Sequence, residues 1–485
     1  MTKMRRKVYL SGRSHQQKIK QSIIIGIATS CCFLLFLYIV SVLFSASSTI
    51  DTINGGEAEV GVAKTIKKRL GEQTATNKRQ DNSDTLLPIK FHGILPMERS
   101  LTDTSINPDA TKLARQILSA SLHLINIQIN NHSSIKDDSY KGIIAEFCTL
   151  NFQLQKDDPP ELPMFRDVVD KSHCGKGSNH IVKVDLKEAV DLVREFDESN
   201  TDNLPTILDL KGVVFHESRC GSTLAANSMM ALNPSKHRVY SESSPPAIAL
   251  RACGEDYSNC SVEGSANLLK DVIYLMGRSN DPNEENLYFK FQSATTRTMG
   301  TFRAAFPTTP WIFLYREPIE VIMSQLDIPS KHIAQANCVR SKQSSPLVRQ
   351  FIDKSEYEYH DLINEEFCAI HLATLCESAL HHLEDADGLG MAVKYSPELV
   401  HDFLDTVFPI HFHTVVDSAA RERVLKISGT YSKNRGKQAA GEFKNDSEEK
   451  LSKASDEIKN AAADFLTPSF EKLEEFREGG EDDAL

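Results

Sequence analysis

The stretch "GVVFHESRCGSTLAANSMM", residues 212 to 230, joins an apolar β-branched run to a small-residue, helix-forming segment through the polar turn Glu217-Ser218-Arg219-Cys220-Gly221-Ser222-Thr223. A strand feeding a helix through such a turn offers backbone N–H groups and the positive end of the helix dipole to an anion, so 218–224 is expected to hold phosphate. Gly221 allows close backbone approach, Ser222 and Thr223 add hydroxyl donors, and Ser218, Cys220 and Leu224 complete the loop. An ATP-binding loop reads G-x-x-x-x-G-K-[ST], with a lysine for the β and γ phosphates. Here Ser222 stands where the lysine belongs and His216 where the first glycine belongs, while the cation, Arg219, has moved ahead of the glycine. That suits a group leaving from a single 5′ phosphate and argues against routine ATP hydrolysis.

Three further stretches carry residues of the same kind. In "WIFLYREPIEVIMSQL", 311 to 326, a strand ends in Arg316 and a helix places Ser324 eight residues on. A guanidinium there can bind a phosphate bidentately, and the alternative is an ordinary ion pair with Glu317 or Glu320. The glycine-containing stretch "GTYSKNRGKQAAGEFKND", 429 to 446, offers Lys433, Arg435 and Lys437, or is a solvated basic turn. Between them, "VYSESSPPAIAL", 239 to 250, brings Glu242, otherwise a capping or surface carboxylate.

Together these motifs resemble the sulfotransferases that use 3′-phosphoadenylyl sulfate (PAPS). "SRCGSTL" is similar to their R-[SC]-G-[ST]-[ST]-L loop for the 5′-phosphosulfate, and Arg316 with Ser324 to their 3′-phosphate site. The segment 429–446 is similar to their nucleotide-closing loop, and "SESSPP" to an S-E-x-P-P segment of a bacterial branch. The resemblance covers about 210 to 437. It implies PAPS as co-substrate, no metal, and a hydroxyl or amine acceptor; a glycan or small molecule is expected, with protein tyrosine and lipid also open. Sulfuryl transfer needs a base for the acceptor proton and cations for the charge spreading over the sulfonate and leaving phosphate. Glu242 is the expected base and His216 the second candidate, unless it is a hydrogen-bonded strand-end histidine. Arg219 is assigned to the transferring group; Lys290 either approaches the same cleft or lies on the surface.

These residues require strands alternating with helices of 10 to 15 residues, which the chain offers from "LPTILDLKGVVFHES" onward. The expected fold is α/β, a parallel sheet flanked by helices in the manner of P-loop NTPases, with a nucleotide-binding core over 206–440. Leu113, Ile117, Leu118, Leu124 and Ile125 read as one helical stripe, so 106–205 is expected to be helical and to cap the acceptor site. The polar stretch 45–105 reads as a flexible stem and 476–485 as an acidic tail beyond a domain ending near 475. "HFH" at 411–413, read as a strand, and "HH" at 381–382 lack a third ligand at metal spacing.

The chain has 485 residues and a formal net charge of −11; seven Lys or Arg and no acid lie in residues 1–21, which leaves −18 elsewhere. An acidic body excludes nucleic acid as the natural partner. Residues 22–44 carry no charge, long enough as a helix to span a bilayer, with the basic tail 1–21 cytoplasmic. A type II anchor with a lumenal domain, in the Golgi by analogy, is expected, and sequons at Asn131, Asn259 and Asn445 agree with it. An oxidising lumen would allow Cys253 with Cys260, Cys148 with Cys174, and Cys338 with Cys368 or Cys376, leaving Cys220 outside any disulfide. Two rivals stand: an ATP- or GTP-dependent kinase-like transferase with a degenerate loop, and a non-catalytic lumenal nucleotide-binding protein.

Overall fold

The structure is a computed structural model that describes residues 91–482, apart from 104, 137–141, 201–203, 328–335, 341–344, 356 and 430–446. The expected tail 1–21, span 22–44 and most of the stem lie outside the described residues, as do Lys433, Arg435 and Lys437. Among the described residues no helix is long and apolar enough to cross a membrane.

Short β-branched and aromatic runs form the strands. β1 (His123–Ile129), β2 (Ile143–Cys148) and β3 (Val182–Asp185) make an antiparallel sheet, and β4 (Thr206–Ile207) pairs with β7 (Arg278–Ser279). The central sheet takes β5 (Asp209–His216), β6 (His237–Ser241), β8 (Asn286–Lys290), β9 (Trp311–Tyr315) and β10 (Gly390–Lys394). All five are parallel, in the order β10-β9-β5-β8-β6. Their residues alternate between two cores, as the strand period of two demands. Val213, Phe215, Phe289 and Phe313 face a core that includes the helix Asn364–Glu384, whereas Val214, Tyr288, Ile312 and Leu314 face one that includes the helix Ser222–Leu232. Burial on both faces explains why these strands read as unbroken apolar runs.

Four expectations are corrected. The stripe after Asn107 stops at Leu118: the helix Pro108–Leu118 ends, Ala120 takes φ 55°, and His123–Ile129 forms β1 against β2. "HLINIQI" alternates with period two and has a sheet partner, so 106–205 is a mixed unit with three strands, not a helical one. Order begins before the expected end of the stem at 105, because Leu95 and Met97 are buried and Met97–Thr102 is helical. At the other end the helix Thr467–Asp482 runs into the expected acidic tail as far as Asp482, anchored by Glu474 to Lys394 at 2.6 Å. "HFH" is no strand: π-helical turns over Phe403–His411 end there, and the His411 Nε2 lies 3.0 Å from the Trp311 carbonyl.

Cysteines pair as Cys148–Cys174, Cys253–Cys260 and Cys338–Cys368, so Cys338 takes Cys368. Cys220 and Cys376 are buried thiols outside any disulfide. Peptide mapping without reduction is expected to recover those three pairs, with Cys220 and Cys376 alkylated only after unfolding. A Cys338–Cys376 peptide would contradict this connectivity.

Candidate functional site

Parallel strands bring their carboxyl ends to one edge, where ligands of open α/β sheets bind. At that edge β5 ends in His216 and the chain turns through 217–221 into the helix Ser222–Leu232. Ser218 (φ 86°), Arg219 (φ 55°) and Gly221 (φ 81°) all take left-handed backbone conformations. For Ser218 and Arg219 that costs about 1–3 kcal/mol each, a strain typical of ligand clamps. A Cβ at Gly221 would also stand 2.7 Å from the Tyr395 ring and 2.8 Å from Leu399, so only glycine fits. The helix has no side-chain cap, and its Leu224 and Ala225 N–H groups donate to the Gly221 carbonyl, which leaves the N–H groups of Ser222 and Thr223 to face an anion. Of the other loop residues, Ser222 is buried and Thr223 and Leu224 partly so, while the Cys220 side chain lies wholly in the core with Leu399. Cys220 can serve an anion through its backbone alone.

His216 is a positioning residue. Its Nδ1 accepts the Ser218 N–H at 3.0 Å and its Nε2 lies 3.0 Å from the Phe291 carbonyl, so both ring nitrogens are engaged and the hydrogen sits on Nε2. This is the strand-end reading of the residue, and it shapes the loop.

Glu217, which the sequence did not single out, is 1% exposed and accepts the Arg316 backbone N–H and the Cys376 thiol, the latter at 3.5 Å. Burial pushes its carboxyl well above the usual range, against the lowering effect of the Arg316 N–H and charge. Arg316, at the end of the adjacent β9, donates through Nε and Nη2 to Glu320 Oε2, both at 2.7 Å, and through Nη1 to the Arg219 carbonyl at 3.3 Å. Its guanidinium lies 4.3 Å from the centre of the Tyr395 ring. The ion-pair alternative for Arg316 is therefore realised, with Glu320, and the same contact puts Arg316 beside the loop. Ser324 accepts from Lys450 Nζ at 2.6 Å, and Ser447 donates to Glu320 Oε2 at 2.9 Å. Lys450 comes from the helix Ser447–Lys453. Its distance along the chain from either motif hid it from sequence reading.

On the other side of the loop, Lys290 ends β8 and Glu242 follows β6, with the Glu242 N–H donating to the Lys290 carbonyl at 2.7 Å. Lys290 is 1% exposed and its ammonium pairs with Glu242 Oε1, so it is no surface lysine. Glu242 has φ 55°. Burial pushes its carboxyl up, but Lys290, foremost through its charge, then His216 and, less, Arg166 outweigh it and hold the group at about 2. Glu242 also reaches a cavity of about 820 Å3 that the N-terminal sheet closes from the other side.

The structure thus brings Arg316 and Ser324, the loop 217–224, Lys290 and Glu242 to one edge. No protein-family model matches the chain, and no curated protein matches it.

Removing the Glu242 charge leaves Lys290 buried without its counter-ion, so Glu242→Gln is expected to cost about 3–5 kcal/mol near neutral pH. Because the folded carboxyl is held at about 2 against 4.5 ordinarily, this stabilisation is present above 4.5 and fades as pH falls toward 2. Urea unfolding of wild type and variant should therefore draw together below pH 4.5 and converge only as pH approaches 2; a gap that stays constant with pH would refute the charge pairing.

Proposed function

We propose that the chain transfers a sulfuryl group from PAPS to a hydroxyl acceptor, on a P-loop-like sulfotransferase fold carried by a type II membrane protein with its catalytic domain in the Golgi lumen. The observation that carries this reading is the order of groups along the sheet edge. Ser324 and Arg316 follow β9, the strained loop follows β5, Lys290 ends β8 and Glu242 follows β6, on strands that are neighbours in that order. Three strand spacings of roughly 4.8 Å separate the two ends, which suits a nucleotide laid across the edge with its reacting end toward Glu242.

In this scheme Arg316, Ser324 and Lys450 hold the 3′ phosphate, together with Lys433 and Arg435 from the segment outside the described residues. The backbone of 219–223 and the hydroxyls of Ser222 and Thr223 hold the 5′ phosphate, with Ser218 and Leu224 engaged in shaping the loop, and Arg219 meets the sulfonate. The acceptor oxygen attacks sulfur, the bond from sulfur to the 5′-phosphate oxygen breaks with its electron pair on that oxygen, and the acceptor proton passes to Glu242. Adenosine 3′,5′-bisphosphate departs. A carboxylate held at about 2 by Lys290 is a weak base. It gains basicity as the Lys290 ammonium turns toward the charge developing on the sulfonate and leaving phosphate. The scheme itself calls on no metal.

The deciding measurement is calorimetric binding to the protein without metal. Adenosine 3′,5′-bisphosphate should bind much more tightly than AMP, and Lys450→Ala should weaken the bisphosphate by about tenfold or more while leaving AMP unchanged. Arg316→Ala should do the same, with Lys450 the safer variant because Arg316 also supports the loop. Preference for ATP with magnesium would turn the reading to a kinase-like transferase, and bisphosphate binding without turnover on any acceptor to a non-catalytic protein.

A further inference from the structure

The cavity of about 820 Å3 beside Glu242 lies within the roughly 300–1,000 Å3 of small-ligand sites, and its walls differ in chemistry from the nucleotide edge. One wall is the N-terminal sheet, where Asn126, Glu146 and Lys183 stand in register across β1, β2 and β3. Glu146 accepts from Asn126 at 2.9 Å, from Gln128 at 2.6 Å and from Lys183 at 3.1 Å. Ser244, two residues after Glu242, donates to the Asn126 side-chain oxygen at 3.2 Å, which joins this polar row to the proposed base. The opposite wall is the helix Phe165–Lys171 with the turn that follows it, tied to β2 by Cys148–Cys174.

Charges around the cavity cancel: Arg166, Lys176 and Lys183 against Glu146, Asp170 and Glu242. A heavily sulfated or phosphorylated chain would meet two carboxylates besides the base, with no excess of cations to repay its desolvation. An apolar acceptor such as a sterol would leave amides and carboxylates without water or partner, at about 1–3 kcal/mol for each group. Hydroxyl groups, each a donor and an acceptor, match amide, carboxylate and serine alike, and the half-buried Phe91 offers apolar surface to the C–H face of a sugar ring.

We propose that this cavity is the acceptor site, that it takes the uncharged, polyhydroxylated end of a glycan, and that Glu146 determines that preference. The proposal rests on the sulfuryl-transfer reading only for the word acceptor; the binding preference stands on the walls themselves.

The test uses the full chain in detergent on arrays of uncharged and of sulfated oligosaccharides, with a detergent-solubilised sterol as the apolar probe. Uncharged oligosaccharides are expected to bind, and Glu146→Gln to weaken them by about tenfold or more. Adenosine 3′,5′-bisphosphate affinity on the same variant reports on the fold, and Gln128→Leu, at the same wall, is expected to weaken the same glycans. Preferential binding of sulfated oligosaccharides or the sterol, uncharged binding indifferent to both substitutions, or no binding at all would overturn the proposal while leaving the nucleotide reading untouched. Glycan binding that depends on Glu146, on a chain that ignores the bisphosphate, would support the cavity assignment and overturn sulfuryl transfer.

Discussion

Arg316 ties two strand ends together, and the site depends on that tie. Its backbone N–H goes to the buried Glu217, its Nη1 to the Arg219 carbonyl, and the rest of its guanidinium to Glu320 and the Tyr395 ring. The loop between β5 and its helix holds two non-glycine residues in left-handed conformations that an unsupported chain would leave. Contacts from β9 and from His216 over-determine that loop, and the twin cores beneath the sheet keep the strand ends from moving apart.

Electrostatics divides the edge in two. On the β9 side Arg316 pairs with Glu320 and Lys450 reaches Ser324, so two cations stand beside the strand end. On the β6 side Lys290 and Glu242 neutralise one another in a nearly dry setting, and the adjoining cavity is balanced in charge. A buried ammonium without a partner is expensive, so the Lys290–Glu242 pair is a stable resting arrangement. A new charge arriving between them would redistribute the pair.

Much of this architecture was legible in the chain. Apolar β-branched runs spaced by helices announced the parallel sheet, and Gly221 after "GVVFHES" announced a tight strand-to-helix turn, because strand period and left-handed backbone leave local marks. The run after Leu118 misled because five apolar positions satisfy a helical period as well as an alternating one, and the choice went to β1 when β2 supplied its hydrogen bonds. Glu217 looked like any polar turn residue, and Lys450 like one more lysine in a charged helix; neither identity implies burial or a partner.

By itself, then, the sequence determined the element types of the core, the position of the glycine turn between β5 and its helix, and the carboxyl-end location of Arg316 and Glu242, since each follows from interactions within a few residues. Only the tertiary structure decided that Lys290 pairs with Glu242, that Arg316 braces the loop through the Arg219 carbonyl, that Cys338 takes Cys368, and that the N-terminal sheet closes the cavity. Those are contacts between segments far apart in the chain, chosen by which buried charges must find partners and which strand edges must be paired, and no local pattern records them.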